Sequence, residues 1–200
     1  CIRDRADAVA AASGVVSKVS MDHDAYTDDY ITRVLNDARV FAFVGASANS
    51  NRPSFFAMKY LLGKGYTVHP VNPGQAGQSI LGQMTFAKLA DVRAPLDVVD
   101  VFRNSEAALE ITRDAIRLKD QLGIKFVWMQ LGVRNDEAAR EAEAAGLQVV
   151  MNRCPKIEYG RISGEIGWAG VNARTISSRQ PKLAAFGVQG RVLPGFSDER

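Results

Sequence analysis

Apolar residues along this chain fall into two alternating patterns. Five short, nearly unbroken apolar runs occupy residues 39–44, 66–71, 96–102, 124–129 and 147–151. Runs of that length with few polar interruptions are what strands covered on both faces look like. Between them lie stretches with apolar positions three and four apart, the helical spacing. Residues 22–36 form one, with Ile31, Val34 and Leu35 on a common face and Thr27 or Asp28 as cap. Residues 54–62 form the next, with Ser54 as N-cap and Gly63 and Gly65 as terminators. The longest covers 105–122, its apolar set being Ala108, Ile111, Ala115, Ile116 and Leu122, and Gly123 ends it. Another runs over 135–145, opened by Asn135 or Asp136 and closed by Gly146. Asn72-Pro73-Gly74 marks a turn after the second strand, and 86–89 reads as a single helical turn.

Strands alternating with helices of this length predict βαβ units and a parallel sheet. Right-handed crossovers then predict an α/β fold: a doubly wound, five-stranded parallel sheet in three layers. The expected domain spans residues 21–158, with Met21 at its start. Residues 1–20 are expected to be an appendage outside the fold. Residues 159–200 carry many glycines and no clear period, so an irregular C-terminal arm or tail is expected, with Trp168 and Phe186 as available anchors.

Composition narrows the class without changing the fold. Of 200 residues 46% are hydrophobic and 24% charged, as in ordinary globular domains. No apolar run approaches the roughly 20 residues of a membrane span. The two cysteines, Cys1 and Cys154, make neither a disulfide framework nor a metal cluster, which fits a reducing cytoplasm. The formal charge is +3 with no Lys/Arg run, weak support for a nucleic-acid partner. A basic mouth around one anionic small molecule explains the excess equally well.

Parallel sheets bind ligands at the carboxyl ends of their strands, near the point where strand order reverses. The post-strand residues are therefore the first candidates. They are Gly45, Ala46 and Ser47; Asn72, Pro73 and Gly74; Arg103 and Asn104, with Phe102 at the strand end. The last two strands add Gln130, Leu131 and Gly132, then Asn152, Arg153, Cys154, Pro155 and Lys156. Gly45 permits a turn and close approach of backbone to an anion, and Ser47 offers a hydroxyl. Arg52 and Arg103 each precede a helix N-terminus, where a cation is disfavoured. With Arg153 and Lys156 they make four cations expected on one rim, and an anion among them is the economical explanation.

Several chemistries are disfavoured. The 45–54 loop lacks two of the three glycines of a dinucleotide fingerprint, and no acid follows Val71 to hold a ribose, so an NAD(P) site would be degenerate. The phosphate-binding lysine motif of phosphoryl-transfer proteins is absent. His23 lies in the leading segment and His69 inside the second strand, the latter expected to be a packed or edge residue. Cys154 is the one nucleophile candidate: Arg153 and Lys156 beside it would favour thiolate, whereas an inert, partly buried thiol is the plainer expectation.

The segments FVGASANSNRPS, GYTVHPVNPG, DVVDVFRNSEAA, FVWMQLGVRNDEAA and GLQVVMNRCPKIE, in that order, resemble the small stand-alone CoA-binding proteins. These are similar to the N-terminal CoA-binding domain of the succinyl-CoA synthetase α subunit. The resemblance covers about residues 22–158 and implies a Rossmann-like fold. It places Gly45, Ala46, Ser47, Arg52 and Pro53 at the coenzyme A phosphates and Asn72 and Pro73 at the adenosine end. It places Val101, Phe102 and Arg103 along the nucleotide and pantetheine path. Gln130 and the Asn152–Cys154 turn, with Asn152 and Cys154, fall towards the thiol, and Lys156 is a further cofactor-binding candidate. Where the synthetase has a lysine after its Pro-Gly turn this chain has Gln75, so charge for the 3′-phosphate must come from elsewhere, with Lys64 a candidate. The synthetase's phosphohistidine domain has no counterpart here. The expected function is thus a non-catalytic, cytoplasmic module for coenzyme A or an acyl-CoA, acting as carrier, sensor or regulatory subunit. The alternatives are an enzyme acting on a CoA thioester or disulfide through Cys154, and an NAD(P) protein with a degenerate loop. A homodimer or partner contact through the arm is expected.

Overall fold

The computed structural model describes residues 21–165. The expectations for residues 1–20 and for Trp168 and Phe186 lie outside these. Five strands form the central sheet: β1 (Val40–Val44), β2 (Thr67–Val71), β5 (Val98–Val101), β6 (Phe126–Met129) and β7 (Gln148–Val150). Their order is β2-β1-β5-β6-β7 and every pairing is parallel. Five helices complete it: α1 (Asp28–Asp37), α2 (Pro53–Gly63), α3 (Ser105–Leu122), α4 (Asp136–Ala144) and α5 (Pro155–Ile162). Helices α1, α2 and α5 pack on one face over Phe41, Phe43 and Trp128; α3 and α4 pack on the other over Val99, Val127 and Val149. The predicted three-layer, doubly wound α/β architecture is present. Strand order reverses between β1 and β5, so the loops leaving those two strands diverge to opposite faces and open a crevice between them.

Local chemistry explains the helix boundaries. Thr27 Oγ1 accepts from Tyr30 N–H at 3.2 Å and starts α1 at Asp28, six residues later than the pattern suggested, because residues 22–27 run as an irregular lead-in. Asn104 and Asn135 cap α3 and α4 through their side-chain oxygens, at 3.2 and 2.9 Å. Helix α2 starts at Pro53 with Arg52 in the cap position, and Ser54 is buried inside the first turn rather than capping it.

Three further elements depart from the pattern. Residues 86–89 are not a helical turn. Phe86 makes a parallel bridge to Val71, and a short 3-10 turn follows at Leu89–Asp91. Before it, β3 (Ser79–Ile80) and β4 (Gln83–Met84) form a small hairpin. His69 on edge strand β2 packs edge-on against Phe86, their ring centroids 5.7 Å apart. The expected domain boundary at residue 158 falls inside α5, whose Tyr159 is fully buried between Tyr60 and Tyr66. An eight-residue helix with Gly160 inside it has too little period to read in sequence; Tyr60 and Tyr66 packed against Tyr159 hold it in place.

Candidate functional site

One cavity of about 720 Å³ lies over the carboxyl ends of the strands, at the β1/β5 crevice. That volume falls in the usual range for small-molecule and cofactor sites. Gly45, Ser47, Arg52 and Pro53 line it from the β1–α2 loop, and Asn72 from the end of β2. Phe102, Arg103 and Asn104 contribute from the β5–α3 junction. Gln130, Leu131 and Val133 line it after β6, and Cys154 and Ile157 after β7.

The loop after β1 is held open by its own hydrogen bonds. Gly45 has φ +93, a conformation that side chains disfavour, and its N–H donates to Val71 O at 2.9 Å. A β-carbon there would stand 3.0 Å from Cδ of Arg103 and 3.3 Å from the Phe102 carbonyl carbon. Glycine therefore lets the two strand ends on either side of the switch point close up. Asn72 spends its side chain locally: Nδ2 donates to Ala46 O at 2.7 Å and Oδ1 accepts from Gly74 N–H at 2.9 Å. Gln75 Oε1 accepts from Ala48 N–H at 3.0 Å, pinning the far side of the same loop.

Arg52 and Arg103 come from opposite sides of the crevice and both face the cavity. Among the described residues neither guanidinium has a carboxylate or hydrogen-bond partner, whereas Arg113, Arg134 and Arg161 are all paired. Two unpaired arginines beside a glycine turn and the start of α2 make a positive site for an anion.

The other two cations of the expected rim are elsewhere. Arg153 is directed at Glu158 (3.7 Å) and over the Tyr26 ring, and Lys156 lies over Phe56 and Tyr60, beside a second hollow of about 340 Å³. Arg153, just before α5, is held by Glu158 of that helix and the Tyr26 ring, and Lys156, on α5, is held by the rings of α2. Lys64 is also excluded from the cavity: it donates to Glu165 at 2.5 Å in the second hollow.

Of the remaining sequence candidates, Ala46 and Val101 are buried and Pro73 opens a 3-10 turn, so none of the three lines the cavity. Asn152 stands behind it: its Oδ1 accepts from Gly132 N–H at 2.8 Å and braces the loop after β6. Cys154 does line the cavity, but its thiol is not activated. Burial pushes the thiol up, outweighing the N–H groups of Ile157 and Lys156 that pull the other way. This agrees with the plainer expectation of an inert, partly buried thiol: the charge of Lys156 still pulls the thiol down, but desolvation outweighs it, and Arg153 is directed at Glu158.

Below the cavity floor is a group that sequence reasoning missed. Asp100 on β5 is fully buried, in register between Phe43 and Trp128. Gln130 Nε2 donates to both of its oxygens, at 2.9 and 3.1 Å. Burial holds the Asp100 carboxyl well above the usual carboxylate range, with the Gln130 bonds pulling against it. An aspartate inside an otherwise apolar strand was a visible irregularity. Ile157 and Val133 were missed because they reach the cavity only through α5 and the loop before α4.

Comparison with known proteins places the chain in a family. The profile of the CoA binding domain family matches residues 39–160. Uncharacterized protein YneT of Bacillus subtilis (strain 168) is 29% identical over 129 residues, 64% of this chain and 91% of its own length. A hypothetical protein from Pyrococcus horikoshii OT3 superposes with a TM-score of 0.63 at 36% identity, covering 70% of this chain and 94% of its own. The Thermus thermophilus protein cell-free ID.343 gives 0.64 at 32% identity, covering 68% and 99%. No helix among the described residues is long and apolar enough to cross a membrane. With the family profile spanning every strand and all the residues that line the cavity, this chain belongs to the CoA binding domain family.

Proposed function

We propose that this protein binds coenzyme A, or a thioester of it, as a carrier, sensor or regulatory module with no chemical step of its own. The observation that carries the reading is the pair Arg52 and Arg103, unpaired among the described residues and facing one cavity across the β1/β5 crevice. In this reading the two guanidinium groups and the start of α2 hold the pyrophosphate. Gly45 keeps the backbone low enough for it to enter. The adenosine lies towards Asn72, and the pantetheine passes Phe102 towards Gln130 and Cys154.

Calorimetric titration with CoA, dephospho-CoA, NAD and ATP tests it. CoA is expected to bind and NAD to bind far more weakly, since Asn72 is already engaged on both of its polar ends. Undetectable CoA binding at millimolar ligand overturns the proposal.

A second reading has one observation behind it: Cys154 lines the same cavity. Its thiolate would attack one sulfur of a CoA disulfide, form a Cys154–CoA mixed disulfide and release the other thiol. Intact-mass measurement after exposure to CoA disulfide would show the adduct, and Cys154→Ser would lose it. The raised thiol pKa argues for a slow reaction.

A further inference from the structure

The cavity changes character along the sheet. At the β1/β5 end it offers Ser47, Arg52, Arg103 and Asn104. The segments that follow β6 and β7 contribute Leu131, Val133, Cys154 and Ile157, with no charged side chain among these four. Leu131 is 62% exposed and Ile157 38% exposed. Four large apolar residues are exposed among the described residues, and two of them line this end of this cavity. Single exposed apolar residues need no explanation, but two that line one cavity do.

We infer that the β6/β7 end of the cavity receives the acyl chain of a CoA thioester, so that the preferred ligand is a short- or medium-chain acyl-CoA rather than free CoA. This rests on the coenzyme A reading and adds the ligand's direction. The anionic half of the ligand is drawn to the two arginines, which leaves its sulfur towards Gln130 and Cys154. Whatever is attached to that sulfur then meets Leu131, Val133 and Ile157. An acyl chain there removes its own apolar surface and theirs from water together. A carboxylated acyl group would find no cation in this part of the lining, so the inference specifies an uncharged aliphatic chain.

The test is a calorimetric series on the full chain with CoA, acetyl-CoA, butyryl-CoA, hexanoyl-CoA and succinyl-CoA. Affinity is expected to rise about two- to fourfold per added methylene from acetyl to hexanoyl. Succinyl-CoA is expected to bind more weakly than butyryl-CoA. In Leu131→Ser/Ile157→Ser the slope with chain length is expected to flatten. Because the slope is a ratio within one variant, a uniform loss of affinity does not mimic that result. Both side chains are partly exposed, and a circular dichroism spectrum confirms that the variant is folded. A flat or falling series in the wild type, with CoA still bound, overturns the acyl inference and leaves the coenzyme A reading intact. If that flat series comes with concentration-dependent association in sedimentation that the double variant abolishes, the apolar pair belongs to a protein contact and the inference is wrong. If no CoA species binds, the reading beneath it has failed.

Discussion

Gly45 and Arg103 touch across the switch point of the sheet: a β-carbon on Gly45 would stand 3.0 Å from Cδ of Arg103. The two residues leave adjacent strands towards opposite faces, so their closeness sets both the width of the crevice and the position of one guanidinium. In Gly45→Ala the left-handed backbone, φ +93, costs about 1–2 kcal/mol. A melting temperature lower by roughly 3–6 °C is expected. Arg103 must also shift, so CoA affinity should fall together with stability. Unchanged melting and unchanged affinity would show that the close approach is not required.

In the proposed reading Arg52 and Arg103 hold the ligand's phosphates, and among the described residues neither has a carboxylate or hydrogen-bond partner. Replacing either with alanine is expected to weaken CoA binding roughly 10- to 100-fold, the worth of a charge-assisted bond to phosphate. Stability should barely move, since both side chains are exposed and unpaired. Raising the salt concentration should weaken wild-type binding more than that of either variant. Calorimetry at two ionic strengths, with thermal melts alongside, checks all three statements.

Asp100 makes stability depend on pH. Its folded-state pKa is raised, so the folded protein holds a proton that the unfolded chain releases above about pH 4. Its contribution to stability therefore falls as pH rises from there towards the folded pKa. Asp100→Asn lacks this term and can still accept from Gln130. The stability of the variant relative to wild type is expected to increase with pH above about 4, by at most about 1.4 kcal/mol per pH unit. Urea unfolding at pH 4, 5.5 and 7 measures it, and parallel curves would place an ionised carboxylate at Asp100.

Asp97 has the opposite sign. Burial raises its pKa, but Lys125 Nζ at 2.8 Å and the N–H groups of Arg39 and Val40 at 2.9 and 3.0 Å outweigh that and leave it lowered. Its contribution is present above the unfolded pKa and is lost as pH falls through the folded one. Asp97→Ala strips two backbone donors at the start of β1 and should cost about 1–3 kcal/mol near neutral pH. That loss should shrink on acidification. Lys125→Ala should cost less, because the half-exposed lysine is screened by water.

Cys154 tests whether the cavity is the ligand site. In a Cys1→Ser background, alkylation by iodoacetamide is expected to be slow at pH 7 and to accelerate about tenfold per pH unit for as long as the pH stays below the raised pKa, where thiolate is the minor form. Saturating CoA should slow it further by covering the cavity. Equal rates with and without CoA would move the ligand away from Cys154.

The periodicity of the chain by itself determined the fold class. Runs such as VFAFV and FVWM, alternating with the capped helical stretches opened by Asn104 and Asn135, read as strands covered on both faces, and the structure has them as strands and helices. That alternation fixes a parallel, doubly wound sheet, and with it the edge where a ligand sits. Eleven of the chosen positions reached the cavity for this reason: Gly45, Ser47, Arg52, Pro53, Asn72, Phe102, Arg103, Asn104, Gln130, Leu131 and Cys154 all sit at strand ends, in the loops after them or at the helix start that follows. Direction within that edge was a different matter. Whether Arg153 and Lys156 faced the cavity or turned to Tyr26, Phe56 and Tyr60 depended on α5, whose hold comes from aromatic rings distant in the chain. The Asp100–Gln130 pair and the apolar end formed by Leu131 and Ile157 likewise exist only once separate strands lie side by side. Local spacing encodes element type and the loop a residue belongs to; where a side chain points is set by what packs against it, and that is a property of the assembled layers.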